Sequence, residues 1–358
     1  MQGQKRIRDY GIIIGDLIPG KRNAITDVAG VRVGHCTLDH GPVKTGVTAV
    51  LPHPGNIFED KVMAAAHVIN GFGKSMGIIQ IEELGTLETP ILLTNTLSVG
   101  EAASALISHM VAGNKDIGCK AGTVNPLVCE CNDFPLNDIR GLHVTKEHVY
   151  AAIREAAEVF REGGVGAGTG MSCYQLKGGI GSASRMIDLD SGKYTVGTLV
   201  LTNMGRKQDL MINGDPLGKR RAKGEIATPP DHPDGSIIII IATDIPLTER
   251  QLKRCAKRSA VGLHRTGSHM DTGSGEIAIA FSTVNRIRSG SREALLPIRM
   301  INESRINRVF RAVAQATEEA ILNSMITADA TVGRAGCKRR ALRDILKEYG
   351  TPPGKEVQ

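Results

Sequence analysis

Residues 229–247 read PPDHPDGSIIIIIATDIPL, so a polar, proline-rich segment passes through Gly235 and Ser236 into five consecutive isoleucines. A short apolar run of β-branched residues, bounded by turn residues, predicts a strand that is buried on both faces. Taken locally, residues 234–235 are explained by a turn that precedes this strand. The serine at the start of the strand needs a further explanation.

Ser236 has a chemical use if the peptide bond before it is cut. A serine hydroxyl is a weak nucleophile that needs an adjacent base. Cleavage between Gly235 and Ser236 would make Ser236 an N-terminal residue, and its α-amine, with a reference pKa of about 7.7–8.0, could act as that base at neutral pH. Gly235 favours the cut because it has no Cβ to shield its carbonyl.

A second strand pattern, GSGEIAIAF at residues 273–281, places polar groups on one face. In a strand, Ser274, Glu276 and two alanines share a face, whereas the isoleucines and the phenylalanine share the other. A serine and a carboxylate flanked by small residues fit a polar site with room for a ligand. They fit equally well the water-facing side of a half-exposed strand, so the pattern by itself leaves both interpretations open.

Strand and helix patterns follow one another along the whole chain. Segments rich in Val, Ile and Thr predict strands at residues 25–38, 46–51, 89–95, 125–130, 194–203, 236–242 and 275–284. Helices are predicted at residues 99–111, 146–160, 249–263 and 306–321, the third of them behind a capping box at Thr248. Residues 207–234 have the composition of a linker. Strands and helices in both halves predict α+β or α/β layers.

Composition and charge exclude several classes of protein. The chain has 358 residues, 41% hydrophobic and 23% charged, as is typical of a globular protein. Much of the net charge of +7 lies at residues 334–347, which we interpret as a solvated C-terminal helix. No stacking aromatics or known module accompany this basic stretch, so no nucleic-acid partner is predicted.

The seven cysteines are irregularly spaced and include no CxxC pair, which indicates free thiols in a reducing cytosol. The ten histidines have no metal-ligand spacing, so we expect no metal and no other cofactor; His35, His53 and His67 are interpreted as core or surface residues. The N-terminus has no apolar signal core and no run reaches the length of a membrane span, so a cytoplasmic location without membrane contact is predicted.

Several stretches, in order over nearly the whole chain, are similar to the self-processing L-aminopeptidase/D-amidase-esterase family, which includes the β-aminopeptidases. They are ITDVAGVRVGH (residues 25–35), CNDFPLNDIRGLHV (131–144), GVGAGTGMSCYQLKGGIGSASR (164–185), VLTNMG (200–205), PDGSIIIIIATDIPL (233–247), HRTGS (264–268) and GSGEIAIAFST (273–283). The resemblance implies a single domain, 1–358, of the α+β class: a four-layer αββα sandwich that resembles N-terminal-nucleophile hydrolases with different strand connectivity. It also implies self-cleavage between Gly235 and Ser236 into chains 1–235 and 236–358, and homo-oligomers, often of four processed pairs.

The resemblance also assigns roles to residues. Ser236 matches the nucleophile, and Ser274 and Glu276 match the pair that orients and polarises it. Asn203 matches the side chain that helps to stabilise the oxyanion, and Glu130 matches the acidic residue that receives the free amino group of the substrate.

The implied activity is that of an aminopeptidase or amidase-esterase. It would release small N-terminal L-, D- or β-residues from short peptides, amides or esters through an acyl-enzyme on Ser236. Family members often carry a tyrosine or another aromatic residue near the block that here contains Asn132, Phe134 and Pro135. A phenolic hydroxyl is therefore missing from this block, which leaves the substrate preference open. The alternatives are a related self-processing oligo-amide hydrolase or acyltransferase, and a non-catalytic binding protein that keeps the fold.

Overall fold

Strands and helices are interleaved along the chain. The computed structural model of the protein describes residues 3–222 and 235–350. In these ranges the strands are β1 Arg32–His40, β2 Val43–Leu51, β3 Asp60–Gly71, β4 Thr86–Leu87, β5 Ile91–Asn95, β6 Leu127–Cys131, β7 Ser172–Cys173, β8 Leu176–Lys177, β9 Gly179–Leu189, β10 Gly192–Asn203, β11 Ser236–Thr243, β12 Gly275–Arg288, β13 Thr331–Val332 and β14 Lys338–Arg339. The α-helices are α1 Ile78–Leu84, α2 Val99–Gly113, α3 Lys146–Arg154, α4 Leu217–Ala222, α5 Glu249–Arg265, α6 Ile306–Ile326 and α7 Leu342–Tyr349.

The five isoleucines lie in the centre of a six-stranded sheet with the order β4-β3-β12-β11-β10-β9. β11 pairs antiparallel with β10 and parallel with β12, and all of its residues are buried. Ile238 and Ile240 join the core shared with the second sheet, whereas Ile237, Ile239 and Ile241 join the core under the helices. Because successive side chains of a strand point to opposite faces, a strand covered on both sides requires such an unbroken apolar run.

The second sheet has four strands in the order β1-β2-β5-β6, and it packs against one face of the six-stranded sheet. Helices α2 and α3 cover its outer face, and α5 and α6 cover the outer face of the six-stranded sheet. The layers therefore run α, β, β, α, and the predicted α+β sandwich is confirmed. Among the described residues, no helix combines the length and the apolar character of a membrane span.

Helix α5 begins at the predicted capping box. The Thr248 hydroxyl accepts a hydrogen bond from the Gln251 backbone N–H at 3.3 Å, and the Gln251 side-chain oxygen accepts one from the Thr248 N–H at 3.3 Å. Two N–H groups that have no partner within the helix are satisfied in this way.

Helix α3 is shorter than predicted, since it ends at Arg154 rather than at residue 160. Ala157 and Val33 of β1 exchange two backbone hydrogen bonds of 3.0 Å, which require extended backbone at residue 157. Contact with the sheet therefore outcompetes the helical pattern, and Phe160 is buried beside the ring of His35.

The strand predicted over residues 25–38 begins only at Arg32. Ile25–Asp27 forms a 3-10 turn instead. The Asp27 carboxylate stabilises this turn by accepting hydrogen bonds from the backbone N–H groups of Arg22 at 2.9 Å and Ala24 at 3.2 Å.

The predicted C-terminal helix over residues 334–347 is also wrong in its first part. Residues 334–336 form a 3-10 turn, β14 pairs with β13, and the α-helix α7 begins only at Leu342. The predicted linker is partly folded as well, because it contains the 3-10 turn Lys207–Asp209 and α4. Residues 223–234 of that linker lie outside the described residues.

Two long strands, β3 and β9, have no counterpart among the predicted elements. Their sequences, DKVMAAAHVING and GIGSASRMIDL, are rich in alanine and glycine, which are depleted in strands generally. In β9 the small residues let α6 approach closely: a Cβ on Gly181 would lie 2.0 Å from the Ala320 carbonyl oxygen and 2.5 Å from the Ser324 nitrogen.

Replacing Gly181 with alanine should therefore destabilise the fold by about 1–3 kcal/mol, because α6 must move away from β9. Denaturant-induced unfolding measures this difference. Gly100→Ala is the matched control, since Gly100 lies in α2 and a methyl group added there would have no neighbour within 4 Å. It should be neutral or stabilising by up to about 1 kcal/mol. Equal stabilities of the two variants would contradict the close approach of α6.

Candidate active site

Three adjacent strands of the six-stranded sheet bring Asn203, Ser236 and Gly275 side by side. β10 ends at Asn203, β11 begins at Ser236 and β12 begins at Gly275. Ser236 pairs with Asn203 in the antiparallel ladder and with Gly275 in the parallel ladder. The first residue of the isoleucine strand therefore lies between one predicted site residue and the GSGE segment.

The carbonyl group of Gly235 is held by two donors. The Ser236 hydroxyl donates a hydrogen bond to it at 2.7 Å, and the Gly275 backbone N–H donates another at 3.0 Å. A Cβ on Gly235 would lie 2.9 Å from the Met204 Cα and 3.1 Å from the Asn203 carbonyl oxygen, so only glycine fits without a shift. Sequence reasoning missed the Gly275 N–H, because a backbone donor has no signature in the sequence.

Ser274 and Glu276 form a buried pair beside this junction. The Ser274 hydroxyl donates a hydrogen bond to the Glu276 carboxylate. Burial raises the pKa of Glu276 above its ordinary value, while Ser274 and the amide of Asn70 lower it. Asn70 also donates to the Ser274 carbonyl oxygen at 2.6 Å. The first eight residues of β12 are buried, so the interpretation of a half-exposed strand is wrong.

The side-chain amide of Asn203 is oriented by two backbone groups. Its oxygen accepts a hydrogen bond from the Ser172 N–H at 2.9 Å, and its nitrogen donates one to the Asn132 carbonyl oxygen at 2.8 Å. An amide nitrogen carries two hydrogens, so a second hydrogen remains for another acceptor. The contacts of Ser172 and Asn132 are again main-chain contacts that the sequence did not reveal.

Glu130 lies on the other sheet, near the end of β6, and is 3% exposed. Its carboxylate accepts hydrogen bonds from the Lys74 backbone N–H at 2.9 Å and from the Thr96 hydroxyl. A Cβ on Gly73 would lie 3.6 Å from the Glu130 carboxylate and 3.5 Å from the Ile277 side chain. Gly73 therefore leaves room between Glu130 and the first residues of β12.

Both predicted carboxylates, Glu130 and Glu276, act electrostatically on the Cys131 thiol. Burial raises the pKa of the Cys131 thiol well above its ordinary value, and the negative charges of Glu130 and Glu276 raise it further. The structure thus gathers Ser236, Asn203, Ser274 and Glu276 at one end of the six-stranded sheet. It places Glu130 across from them, where its hydrogen bonds go to Lys74 and Thr96 rather than to Ser236.

A small cavity of about 20 Å³ adjoins the junction, and its lining includes Gly235, Ser274 and Asp271. It has room for about one water molecule. Asp271 and Arg206 close one side of the cavity with an ion pair of 2.9 Å. Met270, which precedes Asp271, has a φ of 57°, a left-handed conformation that is uncommon for a residue other than glycine. The loop after α5 is therefore held in a specific shape beside Ser274.

Within residues 3–222 and 235–350, no group of three or more His, Cys, Asp or Glu side chains is placed to hold a metal ion. His35 is hydrogen-bonded to the Thr48 hydroxyl at 2.9 Å and to the Arg161 carbonyl oxygen at 3.0 Å, and burial lowers its pKa to about 4. These contacts give His35 a structural role in packing β1 against the segment that follows α3.

Comparison with known proteins agrees with this architecture. The chain matches Peptidase family S58 over residues 23–339. It is 39% identical over 371 residues to the β-peptidyl aminopeptidase BapA of Sphingosinicella microcystinivorans, covering 96% of this chain and 92% of the relative.

Two solved structures are also similar. The PH0078 protein of Pyrococcus horikoshii OT3 is 52% identical with a TM-score of 0.91, covering 97% of this chain and 100% of that one. The L-aminopeptidase D-Ala-esterase/amidase of Ochrobactrum anthropi is 36% identical with a TM-score of 0.88, covering 96% and 99%. That enzyme is described as a prototype of the serine aminopeptidases and a new variant among the Ntn hydrolase fold.

The chain thus has a variant of the fold of N-terminal-nucleophile hydrolases. The chain belongs to Peptidase family S58, and it is an aminopeptidase of the amidase-esterase kind. The predicted family, fold and class of enzyme are therefore confirmed.

Proposed function

We propose that the chain cuts itself between Gly235 and Ser236 and then uses Ser236 as an N-terminal nucleophile. The observation that carries this proposal is the Gly235 carbonyl group, held by the Ser236 hydroxyl at 2.7 Å and by the Gly275 N–H at 3.0 Å. The first hydrogen bond places the Ser236 oxygen beside the carbonyl group that it attacks, and the Gly275 N–H stabilises the negative charge that develops on the carbonyl oxygen during attack.

The cleavage proceeds in two balanced steps. The Ser236 oxygen attacks the Gly235 carbonyl carbon, and the hydroxyl proton passes to the Ser236 nitrogen as the C–N bond breaks, which leaves an ester. Water then hydrolyses the ester and leaves a carboxylate on Gly235 and a free α-amine and hydroxyl on Ser236. The resulting chains are 1–235 and 236–358.

In each later turnover the α-amine of Ser236 accepts the proton of its own hydroxyl while the oxygen attacks the substrate carbonyl. The second hydrogen of the Asn203 amide nitrogen forms a hydrogen bond with the resulting oxyanion and stabilises its charge. The protonated α-amine then gives its proton to the leaving amine, and an acyl ester remains on Ser236. Water hydrolyses this ester with the same amine as base.

Ser274 and Glu276 orient the new amine. Because the Ser274 hydroxyl already donates its hydrogen bond to the Glu276 carboxylate, its oxygen can only accept a hydrogen bond from another group. We assign that group as the α-ammonium of Ser236. The Glu276 charge favours the ammonium form at the moment when the leaving group needs a proton.

Glu130 selects the substrate. A buried carboxylate favours an ammonium partner, so the substrate would carry an unblocked N-terminus. The room beside Gly73 suits a small N-terminal residue. One relative is named a β-peptidyl aminopeptidase and another an L-aminopeptidase D-Ala-esterase/amidase. Short peptides, amides and esters with L-, D- or β-residues are the proposed substrates.

Assembly and location are further parts of the proposal. The processed pairs would associate as homo-oligomers, as the family resemblance implies, with four pairs as the expected number. All seven cysteines are free thiols, which supports a cytoplasmic location.

A panel of p-nitroanilides carrying L-Ala, D-Ala, β-Ala or Gly tests the function, on protein whose cleavage has been checked by mass. Each substrate is assayed with a free and with an acetylated amine. Hydrolysis restricted to free amines supports the proposal. Equal hydrolysis of blocked amides would favour an oligo-amide hydrolase, and no hydrolysis by cleaved protein would favour a binding protein.

Replacing Glu130 with glutamine should lower kcat/KM for free-amine substrates by about 10–100-fold, chiefly through KM, because a charge-assisted contact with the ammonium becomes neutral. Steady-state kinetics on free and acetylated substrates measures the change. Glu101→Gln, on the exposed first turn of α2, is the control and should behave as the unaltered protein. An unchanged preference for free amines in Glu130→Gln would overturn the assignment.

A further inference from the structure

Lys177 is a lysine buried inside the protein close to the candidate site. It is 1% exposed, and its ammonium donates hydrogen bonds to the carbonyl oxygens of Gly168 at 2.9 Å, Met171 at 3.1 Å and Gly178 at 2.8 Å. Three acceptors match the three N–H donors of a protonated lysine, whereas a neutral amine has only two. The ammonium therefore holds the backbone on both sides of the short β7–β8 hairpin.

One of these carbonyl groups shares a peptide unit with a donor to the site. The Met171 carbonyl and the Ser172 N–H belong to the same peptide bond. Lys177 binds the oxygen of this unit, and the N–H at its other end donates to the Asn203 side-chain oxygen at 2.9 Å. A trans peptide is rigid, and its C=O and N–H point in opposite directions. The ammonium and the Asn203 amide are thus connected through a single planar group.

This connection has two physical consequences. The positive charge polarises the peptide, which strengthens the Ser172 N–H as a donor, and hydrogen bonds in such a chain reinforce one another. The donor also fixes which end of the Asn203 side chain faces Ser172. Because the oxygen is held there, the nitrogen is on the side of the Asn132 carbonyl, to which it donates one of its two hydrogens.

The hairpin that carries these groups is anchored from other directions as well. Its turn residues, Tyr174 and Gln175, have φ values of 51° and 58°, which are rare for residues other than glycine. The Tyr174 hydroxyl lies 2.8 Å from the Thr266 hydroxyl, and the Ser172 hydroxyl accepts a hydrogen bond from Arg339 at 3.0 Å. A strained turn persists only where its surroundings hold it in place.

Burial and the surrounding charges act on the pKa of Lys177 in opposite directions. Burial has the larger effect and the pKa is lowered to about 7, although the acidic groups around the ammonium oppose the shift; these groups are Asp39, Asp133, Cys173 and Asp329. Asp39 is itself paired with Lys44.

We propose that Lys177 is a positioning residue for the reaction, which orients the Asn203 side chain toward the reacting carbonyl through the Met171–Ser172 peptide unit. The inference rests on the proposed function, because it needs Asn203 as a donor to the oxyanion. It assigns to Lys177 an effect on kcat that is transmitted only through Asn203.

A double-mutant cycle on the full-length, self-cleaved protein tests this proposal. Lys177→Met should lower kcat by about 10–100-fold with KM changed less than about twofold, and Asn203→Ala should lower kcat by about 10²–10³-fold. The double variant should be no slower than Asn203→Ala, because the effect of Lys177 passes through the missing amide. Losses that multiply, or an unchanged kcat in Lys177→Met, would overturn the proposal. Lys44→Met, a change of another buried lysine, is the matched control and should keep its kcat.

Ser172→Pro provides an independent variant if Lys177→Met does not fold. It removes the N–H that binds Asn203 but keeps the ammonium, so it should reproduce the fall in kcat and again add nothing to Asn203→Ala. An unchanged kcat in Ser172→Pro would also overturn the proposal. If Ser236→Ala stays active, the proposed function itself is wrong. If Ser236→Ala is inactive but the losses of kcat in Lys177→Met and Asn203→Ala multiply in the double variant, only the positioning role of Lys177 is wrong.

Discussion

Replacing Ser236 with alanine is expected to abolish both self-cleavage and substrate turnover. The change removes the oxygen that attacks Gly235 in the first reaction and the substrate in the second. Loss of the nucleophile in a serine hydrolase lowers kcat by about 10⁶-fold. Denaturing electrophoresis and mass measurement should find one intact chain in place of fragments 1–235 and 236–358. The p-nitroanilide assay should find only background hydrolysis.

Two further variants separate the role of this hydroxyl from a general effect on folding. Ser259→Ala removes another buried serine hydroxyl, which donates to the Ala256 carbonyl oxygen in α5, and it should be cleaved and active. Ser236→Cys keeps a nucleophile and should retain measurable cleavage. Cleavage of Ser236→Ala at its normal rate would show that the bond is cut by another group.

Replacing Glu276 with glutamine is expected to lower kcat by about 10²–10⁴-fold, the range of a lost acid–base partner. Glutamine keeps the shape but removes the charge. The Ser274 hydroxyl is then free to turn its proton toward the Ser236 amine, which disfavours the ammonium form. Steady-state kinetics on cleaved protein measures the fall, and the rate of self-cleavage measures its effect on maturation.

The same substitution should leave the free energy of unfolding unchanged or raise it. Burial raises the pKa of Glu276, so the folded protein binds this proton more tightly than the unfolded chain does. Ionisation at neutral pH therefore opposes folding, an effect that disappears as the pH falls below the pKa of the unfolded chain. Glutamine carries no charge and removes this opposition at neutral pH.

Glu318→Gln is the matched control for Glu276→Gln. Glu318 lies in α6, burial raises its pKa too, and its partner is Arg265 rather than Ser274. It should remain fully active. Equal activity of the two glutamine variants would argue against Glu276 as part of the catalytic machinery, and a collapse of folding in Glu276→Gln alone would argue for a structural role.

Much of the fold could be predicted from local patterns. The isoleucine run predicted β11, the capping box predicted the start of α5, and the helical spacing of apolar residues predicted α6. Predictions failed where contacts with distant residues decide the backbone. α3 ends early because Ala157 pairs with Val33. β3 and β9 contain small residues of low strand propensity, and in β9 the close approach of α6 requires glycine at position 181.

The sequence alone determined which chemical groups are available, because a side chain is read directly from its residue type. The Gly235–Ser236 junction, the Ser274–Glu276 pair and Asn203 could be named in this way, with the family resemblance to give them roles. The tertiary structure decided how these groups are held, since nearly every residue carries a backbone amide and only folding determines which amides converge. The Gly275 N–H on the Gly235 carbonyl, the Ser172 N–H on Asn203 and the Lys177 ammonium behind it therefore became visible only in three dimensions.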